Sequence, residues 1–292
     1  MAGEGRRCGW SDQDRCLGHR PSRPRPTRGP VPHTRKEAKA RERGGWSSVT
    51  EGRYLYCILE GAEAKSLGNV GIRGGEVRVL PYESVSAVVS PISFGEIESN
   101  LENILVHQKV VELARGIGTT LPVRFGVIFK TEDGVKKLLA KSYESYRTKL
   151  HKLKDRDEFG VKVILNDSGL KRIRENVEAH SEEVLATRKK LPKSGRGTSY
   201  LLRLKLEEAV KNQLYKKIED LSQQIYTRLG APADERTVLK SDHEQIILNA
   251  AYLINRSEIE RFQKEVEAVR KDFVGEGLVV HTSGPWAPYS FC

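Results

Sequence analysis

Few residues in this chain have the type and spacing that chemistry needs. The seven histidines are scattered singly, which does not favour a metal cluster. His107 lies three or four positions from Ile104, Val110 and Val111, on the edge of an apolar helix face. No serine or cysteine nucleophile with an acidic partner can be placed beside it from the sequence. We therefore predict a packed or capping histidine, no catalytic residue and no metal site.

Two loops have compositions that could bind phosphate or another anion. Glycines recur every third residue over 68–74, but a strand follows them, whereas a dinucleotide fingerprint opens a helix. The segment 193–199 precedes a long helix whose free N–H groups could hold an anion, but it lacks the Walker order. We predict turn glycines in the first loop, a linker capped by Thr198 or Ser199 in the second, and no cofactor.

The four cysteines also indicate no metal or redox site. Cys8, Cys16, Cys57 and Cys292 form no CxxC pair, and no histidine lies at zinc-ligand spacing from them. Cys57 sits inside an apolar strand, where a small buried thiol is expected. This usage indicates a reducing cytoplasm.

Length and composition limit the class of protein. At 292 residues the chain exceeds the usual size of one domain, so two are expected. Charged residues make up 30% of it, and no apolar stretch approaches the roughly 20 residues of a membrane helix. We predict a soluble protein with no membrane partner. The formal charge is +11, but residues 1 to 50 hold 12 Lys and Arg against 5 Asp and Glu. Because the remainder is close to balanced, our leading prediction includes no nucleic-acid partner.

Residues 1 to 48 contain five of the twelve prolines and no apolar periodicity. Such a segment cannot bury enough surface to offset its ordering entropy. We predict that residues 1 to 50 are a disordered basic tail or follow a misassigned start, with the native product beginning near Val49. Deleting residues 1 to 48 is then expected to leave stability unchanged.

The remaining elements alternate and predict an α+β fold. Strands are expected over 54–60, 76–80 and 84–90, then a helix to residue 115 opened by a capping box of Ser99 and Glu102. A strand over 119–129 and a helical stripe from Val135 to Leu153 complete an N-terminal α+β domain, residues 51–156.

The second half has the order β-α-β-β-α-β, the ferredoxin-like signature. A charged helical insert is expected at 168–192, a long helix at 200–229, and a last helix over 257–273 with a capping box of Ser257 and Glu260. We predict two modified ferredoxin-like two-layer sandwich domains. The second spans 157–292 and ends in an extended aromatic C-terminal tail, 284–292.

Aromatic residues concentrate in three segments. The tail carries Trp286, Tyr289 and Phe291 and two prolines that block helix. If it docks on the C-terminal sheet, Trp286→Ala is expected to cost roughly 3–5 kcal/mol. The strands around Tyr56 and Phe125 are typical of a sheet that stacks rings on RNA bases, which leaves an RNA-binding protein as the alternative function. A buried apolar face is the preferred interpretation, because Phe125, Val127 and Phe129 share one side of the strand.

Together these segments are similar to a known family. The runs 53–58, 119–129, 200–202 and 284–291 resemble, in order, the GvpF/GvpL family of gas vesicle proteins. The resemblance covers most of residues 53 to 291. It implies mainly structural roles for the shared residues, which are Tyr54, Tyr56, His107, Leu121, Pro122, Arg124, Phe125, Gly126, Tyr200, Pro285, Trp286, Pro288 and Tyr289.

The resemblance also implies a function. Members of this family are non-catalytic accessory proteins that help to assemble a hollow, gas-filled shell built mainly of a small hydrophobic subunit. The implied partners are the major gas vesicle shell protein and other gas vesicle accessory proteins, and the implied location is the cytoplasm and the gas vesicle. The chain departs from the family in residues 1 to 48, in its Cys292 ending and in the length of the 168–192 insert.

Overall fold

A computed structural model describes residues 51–61, 63–191, 195–241 and 243–292. The expectations for residues 1 to 48, Cys8 and Cys16 among them, lie outside this range. The strands are β1 Glu51–Glu60, β2 Lys65–Gly68, β3 Val77–Tyr82, β4 Val85–Ser93, β5 Thr120–Pro122, β6 Ile128–Phe129, β7 Arg156–Leu165, β8 Glu235–Val238, β9 Ile246–Asn255 and β10 Leu278–Trp286. The helices are α1 Leu101–Arg115, α2 Glu132–Lys141, α3 Tyr143–Leu153, α4 Asp167–His180, α5 Glu182–Lys190, α6 Arg196–Leu229 and α7 Ile259–Phe273.

The first half forms a sheet of order β2-β3-β4-β1-β5, with β6 also paired to β1. All its pairs are antiparallel. Central β1 is buried on both faces, and its residues enter two different cores, with a register irregularity between Leu55 and Cys57. Tyr54 and Tyr56 face the core covered by α1. Leu55 and Ile58 face the core covered by α2 and α3.

The second half forms an antiparallel sheet of order β10-β7-β9-β8. Helices α6 and α7 cover one of its faces through Ile225, Leu229 and Phe262, and the central strands β7 and β9 share nine register positions from Arg156 to Ile164. Leu253 of β9 points to the opposite face and joins the α2–α3 core of the first half.

Mixed helices and antiparallel sheets confirm the α+β class. The division at residues 156 and 157 and the ferredoxin-like description remain predictions. The insert predicted at 168–192 corresponds to α4 and α5, which pack with α6 around Val177, Val184 and Val210. No helix of the described ranges has the length and apolar character to cross a bilayer.

Both predicted capping boxes are wrong. Asn100 caps α1, since its side chain accepts from the Asn103 N–H at 2.9 Å, so the helix starts after Ser99. Before α7, Asn255 accepts from the N–H of Ser257 at 3.0 Å and opens a 3-10 turn. Asparagine is a favoured N-cap residue. Asn100 directly precedes α1, whereas Asn255 caps the 3-10 turn that leads into α7, which itself begins at Ile259.

The strand predicted over 119–129 is also wrong, because it divides into β5 and β6. Between them, residues 123–127 leave the sheet, with Gly126 at φ +90°. Val123 still donates to Tyr56 O at 3.0 Å, and Leu55 donates to Val127 O at 2.9 Å. The loop is therefore anchored to the middle of β1 at both of its ends, although residues 123–127 are not a strand.

Candidate functional site

A hydrogen-bond network joins β1, α1 and the 123–127 loop. The Tyr54 hydroxyl lies 2.9 Å from His107 Nδ1, and His107 Nε2 lies 3.1 Å from the carbonyl of Val123. The Gly126 N–H donates to the Tyr54 oxygen at 3.0 Å. A carbonyl only accepts, so Nε2 carries the imidazole proton and Nδ1 accepts from Tyr54. We call this the Tyr54–His107 network.

Burial keeps the Tyr54–His107 network uncharged. It lowers the pKa of His107 to about 4, against a weaker opposing effect of the Val123 carbonyl. It also raises the pKa of Tyr54 to about 12. At neutral pH both side chains are therefore neutral. Their hydrogen bonds to Val123 and Gly126 hold the 123–127 loop in position.

Tyr56 lies beside this network in the same core. Its hydroxyl is 2.9 Å from Ser90 Oγ and accepts from the Ile72 N–H at 2.9 Å. The rings of Tyr54 and Tyr56 have centroids 4.7 Å apart, and both side chains are fully buried. These two rings form the rigid floor of the region.

The C-terminal segment, residues 287–292 after β10, crosses from the second sheet to the first. Its Ala287 is fully buried in the α1 core, and its N–H donates to Glu112 Oε1 at 3.2 Å. Ser290 donates to the Glu158 carboxylate from its N–H at 2.8 Å and from its hydroxyl at 2.6 Å. Phe291 packs against the α2–α3 core. The segment therefore contacts both halves: Ala287 and Phe291 join first-half cores, whereas Ser290 bonds to Glu158 of β7 in the second sheet.

Strand β10 itself runs through Trp286, which pairs with Glu158 of β7. The first residues predicted as tail thus belong to the sheet, and Tyr289–Phe291 form a 3-10 turn. Trp286 stays 39% exposed, whereas small Ala287 takes the buried position. The large stability cost expected for Trp286→Ala rested on full burial, which the structure contradicts.

An ionic cluster supports the same junction. Asp157 of β7 is nearly buried and lies 2.6 Å from Arg115 of α1 and 3.4 Å from Arg256. Arg115 also contacts Glu112 at 2.7 Å. Breaking a buried pair leaves an uncompensated charge, so these contacts hold α1 in place against β7.

Between α1 and the C-terminal segment lies an open groove of about 490 Å³. Its lining includes four large apolar or aromatic side chains, Ile104, Phe125, Trp286 and Tyr289, together with His107, whose ring lies close to those of Phe125 and Tyr289. We call it the α1–tail groove. The polar members of the lining are Gln108, Arg124 and Glu158. Leu101 and Leu105 extend exposed apolar surface along the same helix.

The sequence of residues 52–292 matches a family model described as gas vesicle synthesis protein GvpL/GvpF. The chain belongs to the GvpL/GvpF family. It is 26% identical over 259 residues to gas vesicle protein L of Streptomyces sp. (strain CB03234), covering 82% of this chain and 92% of that protein. It is 24% identical over 247 residues to gas vesicle protein F of Haloferax mediterranei, covering 83% and 94%.

The fold agrees with this assignment to the GvpL/GvpF family. The crystal structure of the gas vesicle protein GvpF from Anabaena sp. PCC7120 is similar, with a TM-score of 0.71 and 25% identity, covering 82% of this chain and 98% of that chain. Relatives named as F and as L proteins both match, so the chain has a role connected with gas vesicles.

Most residues of the predicted GvpL/GvpF pattern meet at the network or the groove. These are Tyr54, Tyr56, His107, Arg124, Phe125, Gly126, Trp286 and Tyr289. Leu121 and Pro122 are buried on β5, opposite Ile58 and Cys57 of β1. Pro288 is buried and Pro285 is exposed, whereas Tyr200 lies apart on α6. Their mainly structural role stays a prediction.

The RNA-binding alternative finds no support in the relatives or in the ring positions. Base stacking needs accessible rings, but Tyr56 and its neighbour Tyr54 are buried and hydrogen-bonded.

The thiol of Cys57 is buried as expected, and burial raises its pKa. Within the described ranges, no three His, Cys, Asp or Glu side chains are grouped to hold a metal ion.

The sequence did not single out the residues that join the two halves. Glu158, Ser290, Arg115 and Asp157 lie in strands, turns and helix ends whose charges look like ordinary surface charges. Only the Glu112–Arg115 pair, three positions apart on one helix, had a local signal. The other contacts connect positions 42 to 132 residues apart, which no local pattern reports.

Proposed function

We propose that this chain is a non-catalytic accessory protein of gas vesicle assembly that binds the major hydrophobic shell subunit through the α1–tail groove. It then stays with the vesicle as a minor component, in the cytoplasm, beside other accessory proteins of the same assembly. Membership of the GvpL/GvpF family supports the process, and the groove supports the mode of binding.

The observation that carries the proposal is the composition of the groove. Ile104, Trp286 and Tyr289 each leave about two fifths of their surface open on one concave face. Aromatic and aliphatic side chains around a pocket are typical of binding hot spots. A shell subunit with a hydrophobic face needs such a surface, because an unmasked apolar patch promotes aggregation.

The groove is also preorganised. The Tyr54–His107 network fixes the loop that carries Phe125, and Glu158 fixes the turn that carries Tyr289. Few side chains need to be ordered on binding, which lowers the entropic cost of association. Arg124 lies exposed at the groove with no ion pair inside the described ranges, so it is available to a carboxylate of the partner.

Co-expression with the major shell protein followed by affinity capture tests the proposal. Ile104→Ser is expected to weaken capture, because Ile104 lies in the groove. The matched control is Leu113→Ser on the same helix, since Leu113 is 42% exposed against 41% for Ile104 and lies outside the groove. Equal capture by both variants would contradict a role of the groove. No capture by the wild type, with normal vesicles in a deletion strain, would reject the function.

We also propose that the second half is a ferredoxin-like module. Its strand and helix order supports this, as does the packing of α6 and α7 on one face of a four-stranded antiparallel sheet. The two-domain division at 156 and 157 is proposed on the same basis, with the C-terminal segment spanning both parts.

A further inference from the structure

The longest helix, α6, carries one heptad-spaced stripe along its whole length. Positions recur at alternating steps of three and four, which is the spacing of a coiled-coil seam. The stripe consists of Leu201, Leu204, Glu208, Lys211, Tyr215, Ile218, Ser222, Ile225 and Leu229. A seam of this kind normally faces another element along its full length.

Among the described residues, only the C-terminal part of the stripe has such a neighbour. Ile225 and Leu229 are fully buried against the second sheet, and Ser222 donates to the Ile247 carbonyl at 2.7 Å. The N-terminal part, which we call the outer α6 stripe, comprises Leu201, Leu204, Glu208, Lys211 and Tyr215. Leu201 and Tyr215 are 60% exposed and Leu204 is 46% exposed.

The helical insert does not cover the outer α6 stripe. Helices α4 and α5 pack on α6 through Leu206, Ala209 and Val210. At 100° per residue, Leu204 and Lys211 lie roughly opposite Leu206 and Ala209 on the helix surface. The stripe therefore faces away from the insert, and its apolar members Leu201, Leu204 and Tyr215 stay exposed.

The order of residues in the stripe is self-complementary. From Leu204 to Tyr215 the steps are four, three and four, so the spacing reads the same in both directions. When two such helices run antiparallel, Glu208 of each lies opposite Lys211 of the other, and Leu204 lies opposite Tyr215. Both kinds of pair occur twice, as a twofold interface requires.

We propose that the outer α6 stripe binds a second copy of this chain as an antiparallel helix pair. The central Glu208–Lys211 pairs set the register, as polar residues in a seam do. A parallel pair would place Glu208 against Glu208 and Lys211 against Lys211, and like charges oppose it. A shift of seven residues would bring Leu204 against Glu208, leaving a charge without a partner.

Charge reversal on the full-length chain tests the proposal by sedimentation equilibrium. From about 1 to 100 μM, a range that covers weak homodimers, the wild type is expected to show a dimer. Glu208→Lys and Lys211→Glu are each expected to raise the dissociation constant at least about tenfold, because each creates two like-charge pairs. The double variant restores both pairs with reversed sign and is expected to restore the dimer.

A cysteine pair supplies an independent measurement. In a background with Cys8, Cys16 and Cys292 changed to serine, Leu204→Cys with Tyr215→Cys is expected to give a disulfide-linked dimer on oxidation. Within one helix the two positions are about 16 Å apart, beyond the reach of an internal disulfide. Leu204→Cys alone is the control, since that position lies opposite Tyr215 and not opposite itself.

A wild type that stays monomeric over the whole concentration range would overturn the proposal. So would a double charge reversal that dimerises as weakly as the single variants. A third contradicting result is a disulfide-linked dimer formed by the single-cysteine control but not by the cysteine pair. The groove variant Ile104→Ser is expected to leave the dimer intact, and the α6 variants are expected to leave capture of the shell protein intact. Failure of one proposal is thus separable from failure of the other.

Discussion

The two sheets of this protein differ in how their buried tyrosines are hydrogen-bonded. In the first sheet, Tyr54 and Tyr56 are fully buried and both hydroxyls have partners. In the second sheet, Tyr252 is equally buried between Tyr226 and Phe262, but its hydroxyl has no partner in the described part of the chain. Burial of a tyrosine ring therefore does not by itself mean that its hydroxyl holds a neighbouring element in place.

The difference in hydrogen bonding between these tyrosines follows from the elements that each core holds in place. The first-half tyrosines hold a loop that lines the α1–tail groove, so their hydroxyls connect separate elements. The second-half core is otherwise apolar and packs helices on a sheet by shape. A polar group that makes no bond there costs desolvation without fixing a neighbour. Four measurements test this contrast between the two cores.

The largest expected effect is a loss of stability in acid that depends on His107. Its pKa is about 4 in the folded chain, below the ordinary value of 6.5, so the unfolded chain takes up the proton first as the pH falls. The contribution of neutral His107 to the free energy of unfolding is fully present above pH 6.5. It falls by roughly 3 kcal/mol as the pH is lowered towards 4. Urea midpoints at both ends of that window measure it. The variant His107→Gln is expected to show a shallower decline, and an unchanged slope would contradict the assignment to His107.

Removing one hydroxyl from the network is expected to have the next largest effect. Tyr54→Phe keeps the ring but leaves His107 Nδ1 and the Gly126 N–H without their partner. We expect a cost of about 2 kcal/mol in the free energy of unfolding. Chemical denaturation measures this cost. An unchanged free energy of unfolding would show that the Tyr54 hydroxyl does not stabilise the fold.

A smaller effect is expected where the C-terminal segment meets the second sheet. Ser290→Ala removes the hydroxyl that donates to Glu158 but keeps the backbone N–H. One charge-assisted bond of this kind contributes about 1.5 kcal/mol. Because Glu158 is nearly buried and burial raises its pKa, losing this donor is expected to raise that pKa further. Carboxyl titration followed by NMR checks the direction, and a fall in the pKa would contradict it.

The smallest expected effect is that of Tyr252→Phe. It removes a buried hydroxyl that has no partner, so stability is expected to change by less than about 0.5 kcal/mol or to rise slightly. Thermal unfolding compared with Tyr54→Phe measures the contrast directly. If both variants lost the same stability, the proposed difference between the two cores would not hold.

The sequence predicts elements with a strong local pattern well. The apolar stripe of the last helix places Phe262, Val266 and Val269 in the core, and all three are buried. The long helix ends at residue 229, as predicted, with Gly230 as its C-cap. In these cases periodicity and a terminating glycine report the packing directly.

Long-range contacts account for what the sequence did not predict. Tyr54 and His107 were singled out separately, but the bond between them joins positions 53 residues apart. The continuous strand expected over 119–129 failed because Gly126 turns to donate to Tyr54, a contact that overrides strand propensity. The stability cost expected for Trp286→Ala depended on the tail docking on the C-terminal sheet, whereas it is Ala287 that is buried, against α1, while Trp286 stays 39% exposed.

The path of the C-terminal segment has a consequence for folding kinetics. Its bond from Ala287 to Glu112 closes a separation of 175 residues, a contact that is entropically costly to form early. Docking of this segment is therefore expected after the transition state. Ser290→Ala should then accelerate unfolding and leave the refolding rate nearly unchanged, which stopped-flow chevron plots would reveal. The contacts of the C-terminal segment are therefore expected to slow unfolding without changing the rate of folding.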